Sequence, residues 1–162
     1  MSQSKKNPGA SGKESAAFEN VKNQLAPCGL WCGSCSVGNG HARELSRKTW
    51  KTLTDYGVKE WGPKGIDYEG LLEGLSALSA MDPCPGCLKG GGNLECPARA
   101  CAREKGVVEC VDCGAQKTCS NAHYLEHMRT GARKVGMKVK DEKGDRSKVL
   151  SRWISEREVG PD

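Results

Sequence analysis

Between His41 and Ile154 the apolar positions recur at helical spacing and almost nowhere alternate. From His41 to Tyr56, the residues Ala42, Leu45, Thr49, Leu53 and Tyr56 fall three to four apart and Gly57 supplies a stop, which predicts an amphipathic helix. A second is predicted from about Tyr68 to Ala80, with Asp67 as cap and Leu71, Leu72, Leu75 and Leu78 as its apolar stripe. Pro97 at a first-turn position and Gly106 past the end frame a short third helix that carries Cys101. Ser120 can cap a fourth, over Asn121 to Arg129, with Gly131 just beyond. Asp145 can cap a fifth, in which Val149, Leu150, Trp153 and Ile154 share a face. Strand signals are thin: Val135, Met137 and Val139 alternate, and Val107 and Val108 form a β-branched pair.

These elements divide the chain into three parts. Residues 1–24 are rich in Ser, Lys, Asn and Gly, with Phe18 and Val21 as their only large apolar groups, so a disordered tail with a short helix near Ala16 to Gln24 is expected. Residues 25–130 carry every cysteine, and residues 131–162 form a mildly basic extension with a helix. The N-terminal stretch has no apolar run of a secretory leader, and no segment approaches the ~20 apolar residues of a membrane span. A cytoplasmic protein with no membrane partner is expected.

The apolar content changes the picture. Leu, Val, Ile and Phe supply 25 of 162 residues, below the ~20% at which a chain struggles to fill a core. Ten cysteines are the one other resource in quantity. In the reducing cytoplasm, clustered cysteines are better read as metal ligands than as disulfides or redox thiols. The formal charge of +5 is then misleading, because it counts thiols as neutral. Ten thiolates with three divalent ions would bring the holo form to about +1, so bulk charge predicts no partner.

Spacing sorts the cysteines into three groups: Cys28, Cys32 and Cys35; Cys84, Cys87, Cys96 and Cys101; and Cys110, Cys113 and Cys119. A Cys-x-x-Cys turn aims two sulfurs at one point while backbone N–H groups bond to the thiolates. Tetrahedral zinc needs four such ligands, and the second group offers four within 18 residues. The first and third each lack one. Histidines could complete them: His123 lies four residues after Cys119, and His41 six after Cys35, giving twelve ligands for three ions. Alternatively the groups interleave, and three thiolates ligate three irons of a 4Fe–4S cluster. His127 follows His123 by four residues, and both could equally be helix surface.

Other chemistries find no support. HYLEH is not the H-E-x-x-H of zinc proteases, and the run Gly90, Gly91, Gly92 lacks the Lys-Ser/Thr of a phosphate loop and is read as a flexible turn. The C-x3-C-x2-C spacing is shared with radical enzymes that cleave S-adenosylmethionine, but the chain is too short for their barrel. Trp31 and Trp50 are read as clamps over a small core.

The segments LAPCGLWCGSC, CPGC and RACAREKGVVECVDC, followed by Cys119, resemble the cysteine-rich family of bacteria and archaea catalogued as domain of unknown function 3795. The resemblance spans about Leu25 to Leu125 and implies a metal-binding domain with no established activity, whose metal positions fall on the ten cysteines. Members are frequent in anaerobes, which raises the iron–sulfur alternative. The chain departs from the family pattern at GAQKTC, before the last cysteine.

The sequence therefore predicts a mainly α, small, irregular, metal-stabilised domain of short helices and cysteine-knuckle loops with little β. Its expected cofactor is two to three zinc ions, with an iron–sulfur cluster as the alternative, and its expected role is binding or regulation toward a protein partner. Nothing marks an enzyme. Nucleic-acid binding by the basic extension is a weaker option, since its Lys and Arg alternate with acids and have no adjacent aromatics.

Overall fold

The computed structural model describes residues 11–158. It is mainly helical, with α1 (Ser11–Val21), α2 (His41–Asp55), α3 (Val58–Trp61), α4 (Tyr68–Ser79), α5 (Pro97–Glu104), α6 (Ala122–Lys134) and α7 (Arg146–Glu158). Among the described residues no helix is long and apolar enough to cross a membrane.

Local chemistry sets most boundaries. The Asp67 carboxylate accepts the Gly70 N–H at 3.0 Å and starts α4, and Asp145 Oδ1 accepts the N–H groups of Ser147 and Lys148 ahead of α7. Pro97 opens α5, where its missing N–H costs nothing. The fourth predicted helix differs from expectation at both ends. Ser120 is not its cap; the helix starts at Ala122 after Asn121 and runs through Gly131 to Lys134. Burial of Ala132 holds the turn that a mid-helix glycine weakens by only about 0.5–1 kcal/mol.

Two small apolar clusters anchor these elements. In one, Leu25, Trp31 and Trp153 are buried, with Phe18, Val149, Leu150 and Ile154 packed against them. The two indoles lie 5.8 Å apart between centroids, and the Trp31 indole N–H donates to the Lys22 carbonyl at 2.7 Å. In the other, Ala26, Cys28, Ala98 and Leu125 are buried, and Leu30, Cys87, Cys96, Cys110, Cys119 and Tyr124 pack around them. Trp31 is thus a core clamp as predicted, whereas Trp50 is only half-buried.

The first cluster alters the reading of the N-terminal stretch. Ala17 and Val21 are fully buried and Gln24 is buried, so the expected solvated tail belongs to the fold over at least Ala17 to Gln24. Composition missed this because the cover needed over Leu25 and Trp31 is two or three side chains, too few to mark a segment as apolar. The earlier part of the expected tail, residues 1–10, lies outside the described residues.

The alternating segment at Val135, Met137 and Val139 makes an isolated bridge between Leu30 and Val139 in place of a strand. Trp31 N–H donates to the Lys138 carbonyl at 3.0 Å and Lys140 N–H to the Gly29 carbonyl at 2.8 Å. The approach is so close that a Cβ on Gly29, at φ +96°, would stand 1.9 Å from the Lys140 carbonyl oxygen. Between the first and second cysteine groups, α2 and α4 pack against each other as a hairpin. The apolar stripe of α4 is only partly covered there: Leu72 and Leu75 are half-buried, while Leu71 and Leu78 are exposed.

The C-terminal extension is joined to the cysteine region through charge. The Glu109 carboxylate is buried and pairs with Lys140, also buried, and with Arg146 at 3.1 Å. Arg146 also donates to the Leu25 carbonyl at 2.8 Å. Removing one member of a buried ion pair leaves an uncompensated charge, at a cost of about 3–5 kcal/mol. Lys140→Met is therefore expected to lower the unfolding free energy by about 3–5 kcal/mol in a denaturant titration, and Glu109→Gln with Lys140→Met together by less than the two single changes summed.

Candidate metal centre

The first cysteine group sits on a chain that doubles back on itself. Ala26 N–H donates to the Leu30 carbonyl and Gly29 N–H to the Ala26 carbonyl, both at 2.8 Å, which makes a tight turn around Cys28. A short 3₁₀ turn, Cys32–Ser34, then carries the Cys-x-x-Cys pair, with Cys35 N–H bonded to the Cys32 carbonyl at 3.1 Å. The Gly38 N–H donates to Cys35 Sγ at 3.4 Å, the bond a knuckle provides to a thiolate.

One polar side chain ties the second group to the first, and another holds the second group's own loop. Gln24 donates to the Pro85 carbonyl at 2.7 Å and accepts the Leu88 N–H at 3.1 Å, clamping both ends of the CPGC loop. Cys87 N–H then reaches Cys32 Sγ at 3.4 Å across 55 residues of sequence. Arg99, buried on α5, gives its guanidinium to the carbonyls of Cys87 (3.2 Å), Gly91 (2.8 Å), Asn93 (2.6 Å) and Leu94 (3.0 Å), and lies 3.9 Å from Cys87 Sγ. The glycine run read as a flexible turn is therefore pinned. At Gly91 a Cβ would stand 2.8 Å from Cys84 Sγ, so the loop can close over that sulfur only without a side chain.

The third group is attached to the first by backbone. Cys110 N–H donates to the Pro27 carbonyl at 2.8 Å, setting Cys110 beside Cys28. The turns Cys110–Asp112 and Gln116–Thr118 deliver Cys113 and Cys119, and Gln116 donates back to the Cys110 carbonyl at 3.4 Å. Together with Cys101 from α5, Cys110, Cys113 and Cys119 line a cleft of about 270 Å³ whose other walls include Ala98, Leu125 and Arg129. Arg129 also donates to the Cys28 carbonyl at 2.8 Å.

All ten cysteines are free thiols. Burial pushes the Cys28 thiol up to about 11, opposed by the Leu30 N–H and reinforced by Cys87, Cys96 and Cys110. Burial likewise pushes Cys32 up to about 11, with the Cys87 N–H opposing and Cys87, Cys84 and Cys35 adding. Cys87 and Cys110 are raised for the same first reason, eased by Arg99 at Cys87 and by Arg129 at Cys110. These are thiols packed near one another in a place that disfavours their charge unless a cation arrives. Among the described residues, no three His, Cys, Asp or Glu side chains are drawn tightly enough together to hold a single ion as they stand. The donor set nevertheless fits a thiophilic cation: soft ligands, N–H bonds to sulfur and arginines beside the group.

The histidines stand apart. His41 begins α2 and is exposed, and His123 and His127 are exposed on α6. None of the three lines the four-cysteine cleft. Tyr124 takes the inward place beside His123, its hydroxyl donating to Cys96 Sγ at 3.7 Å. Sequence reasoning also missed Gln24 and Arg99, since a polar residue among polar residues gives no sign that it will hold a loop far along the chain.

A model of a protein family of unknown function (DUF3795) matches residues 24–124. No curated protein and no solved structure matches the chain.

Thiols whose burial favours the neutral form impose a pH dependence on the metal-free protein. A pKa raised in the folded state gives stability that is present below the usual value of 9.0 and is lost as pH rises toward about 11. The residual helical circular-dichroism signal of chelator-treated protein is expected to decline over that interval. Cys28 and Cys32 should also alkylate more slowly with iodoacetamide at pH 8 than a free cysteine does, as read by peptide mass analysis.

Proposed function

The chain belongs to the DUF3795 family, whose description names no activity, and we propose from its sulfur geometry that it is a zinc-binding module whose ions hold the cysteine region in shape for binding or regulation. One observation carries this reading: cysteines far apart in sequence are brought together by backbone and buried polar contacts that have no other evident purpose. Cys101, Cys110, Cys113 and Cys119 line one cleft, and the knuckle at Cys84 and Cys87 docks on that of Cys32 and Cys35. Bound as thiolates, these residues would replace much of the interior that the chain lacks in leucine and isoleucine. Each structural zinc site contributes on the order of 10–16 kcal/mol of apparent binding energy, against a total stability of about 5–15 kcal/mol for ordinary domains.

The volume of the four-cysteine cleft favours a second reading, an iron–sulfur cluster held by the same thiolates. The two readings differ in colour and in content. A role in the cytoplasm, with a protein partner, is part of the proposal. A nucleic-acid role draws little support from the extension, where Arg133 pairs with Asp141, Lys138 with Glu156 at 2.9 Å, and Arg146 with Glu109.

Protein purified without oxygen is expected to be colourless, to contain two to three zinc ions per chain by elemental analysis, and to lose cooperative unfolding when a strong chelator removes them. Cys113→Ser should lower the zinc content and leave Cys32 and Cys35 protected from alkylation. Brown protein with iron and acid-labile sulfide would replace zinc by the cluster reading, and cooperatively folded protein free of any metal would overturn both.

A further inference from the structure

Spacing leaves the first and third cysteine groups one ligand short, and the fold removes the shortfall without a histidine. Three neighbourhoods of sulfur can be traced. In the first, the pairs Cys32, Cys35 and Cys84, Cys87 meet where the Cys87 N–H donates to Cys32 Sγ at 3.4 Å. In the second, Cys28 is buried with Ala98 and Leu125, and Cys87, Cys96, Cys110 and Cys119 pack around that cluster; of these, Cys87, Cys96 and Cys110 are the cysteines whose charges bear on Cys28. The bond from Cys110 N–H to the Pro27 carbonyl, at 2.8 Å, fixes Cys110 at this junction. In the third, Cys101, Cys110, Cys113 and Cys119 line the cleft.

With Cys119 counted in the cleft, where it stands with Cys113, each neighbourhood has four cysteines, and together they use all ten. Cys87 and Cys110 belong to two neighbourhoods each; the other eight belong to one. Three tetrahedral ions require twelve sulfur positions. Ten thiolates supply twelve when two of them bridge. We infer that the cysteines hold three divalent thiophilic ions in a row, with Cys87 bridging the first to the second and Cys110 bridging the second to the third. This deepens the zinc reading proposed above and rests on it. No histidine takes part, in keeping with the exposed positions of His41 and His123.

Charge fits the arrangement. Ten thiolates and three divalent ions leave about −4 on the assembly, which calls for cations close by. Arg99 lies 3.9 Å from Cys87 Sγ, and Arg129 lines the cleft that contains Cys110. Both shared cysteines therefore have a guanidinium in their neighbourhood. Ligand formation is a simple exchange: each thiol gives its proton to solvent as its sulfur lone pair binds the ion, with no change of oxidation state.

The test is cadmium-113 NMR on the full chain, loaded with cadmium in place of its native ion. Three bound ions are expected, with three resonances in the range of all-thiolate sites and cadmium–cadmium coupling from the central resonance to each of the other two. Cys87→Ser should abolish one coupling and keep the other, and His123→Ala and His41→Ala should leave all three resonances in place. Ions bound without any cadmium–cadmium coupling, a stoichiometry of two, or loss of a resonance in either histidine variant would each overturn the bridged row while leaving the metal-binding reading intact. A chain that takes up no cadmium would overturn both.

Discussion

Sulfur occupies the position in this protein where a domain of its length usually places leucine and isoleucine. Around the buried methyls of Ala26 and Ala98 and the side chain of Leu125, the contacts are made largely by Cys28, Cys87, Cys96, Cys110 and Cys119. A thiol is a small hydrophobe, so this packing alone gives a modest interior. It also gathers groups whose ionised forms burial disfavours, a tension that the proposed cation would resolve as the protons leave. The remaining features of the fold are arranged so that these sulfurs meet.

The arrangement explains why polar residues lie at the structural joints. Gln24 ties the CPGC loop to the segment before Cys28, and Arg99 gathers four carbonyls of the loop between Cys87 and Cys96. Loops of this kind carry unpaired backbone groups that an apolar core could not satisfy, and a buried guanidinium or carboxamide can. Glu109 does the same by charge one residue before Cys110, drawing Lys140 and Arg146 of the extension onto the cysteine region. The C-terminal segment is thus a covering element, with Trp153 stacked near Trp31.

Much of the fold was legible in the sequence because it rests on local chemistry. Asp67, Pro97 and Asp145 start helices where capping and first-turn preferences place them, and the Cys-x-x-Cys pairs at Cys32 and Cys110 sit on tight turns. What was not legible depends on distant partners. Phe18 packs against Leu25, Trp31 and Trp153 from the far end of the described chain, and Gly131 stays helical where Ala132 is covered. His123 has suitable spacing from Cys119, yet its neighbour Tyr124 faces Cys96, and spacing could not say which of two adjacent residues turns inward. The sharing of Cys87 and Cys110 between neighbourhoods was hidden for the same reason, since linear groups count each cysteine once.

The central claim is that thiolates alone complete the metal shell. X-ray absorption at the zinc edge of protein purified without oxygen reads that shell directly. The account predicts four sulfur scatterers per zinc at about 2.3 Å and no light-atom shell at the ~2.0–2.1 Å of histidine nitrogen. One nitrogen per zinc at that shorter distance would contradict it, as would an absorption edge belonging to iron alone.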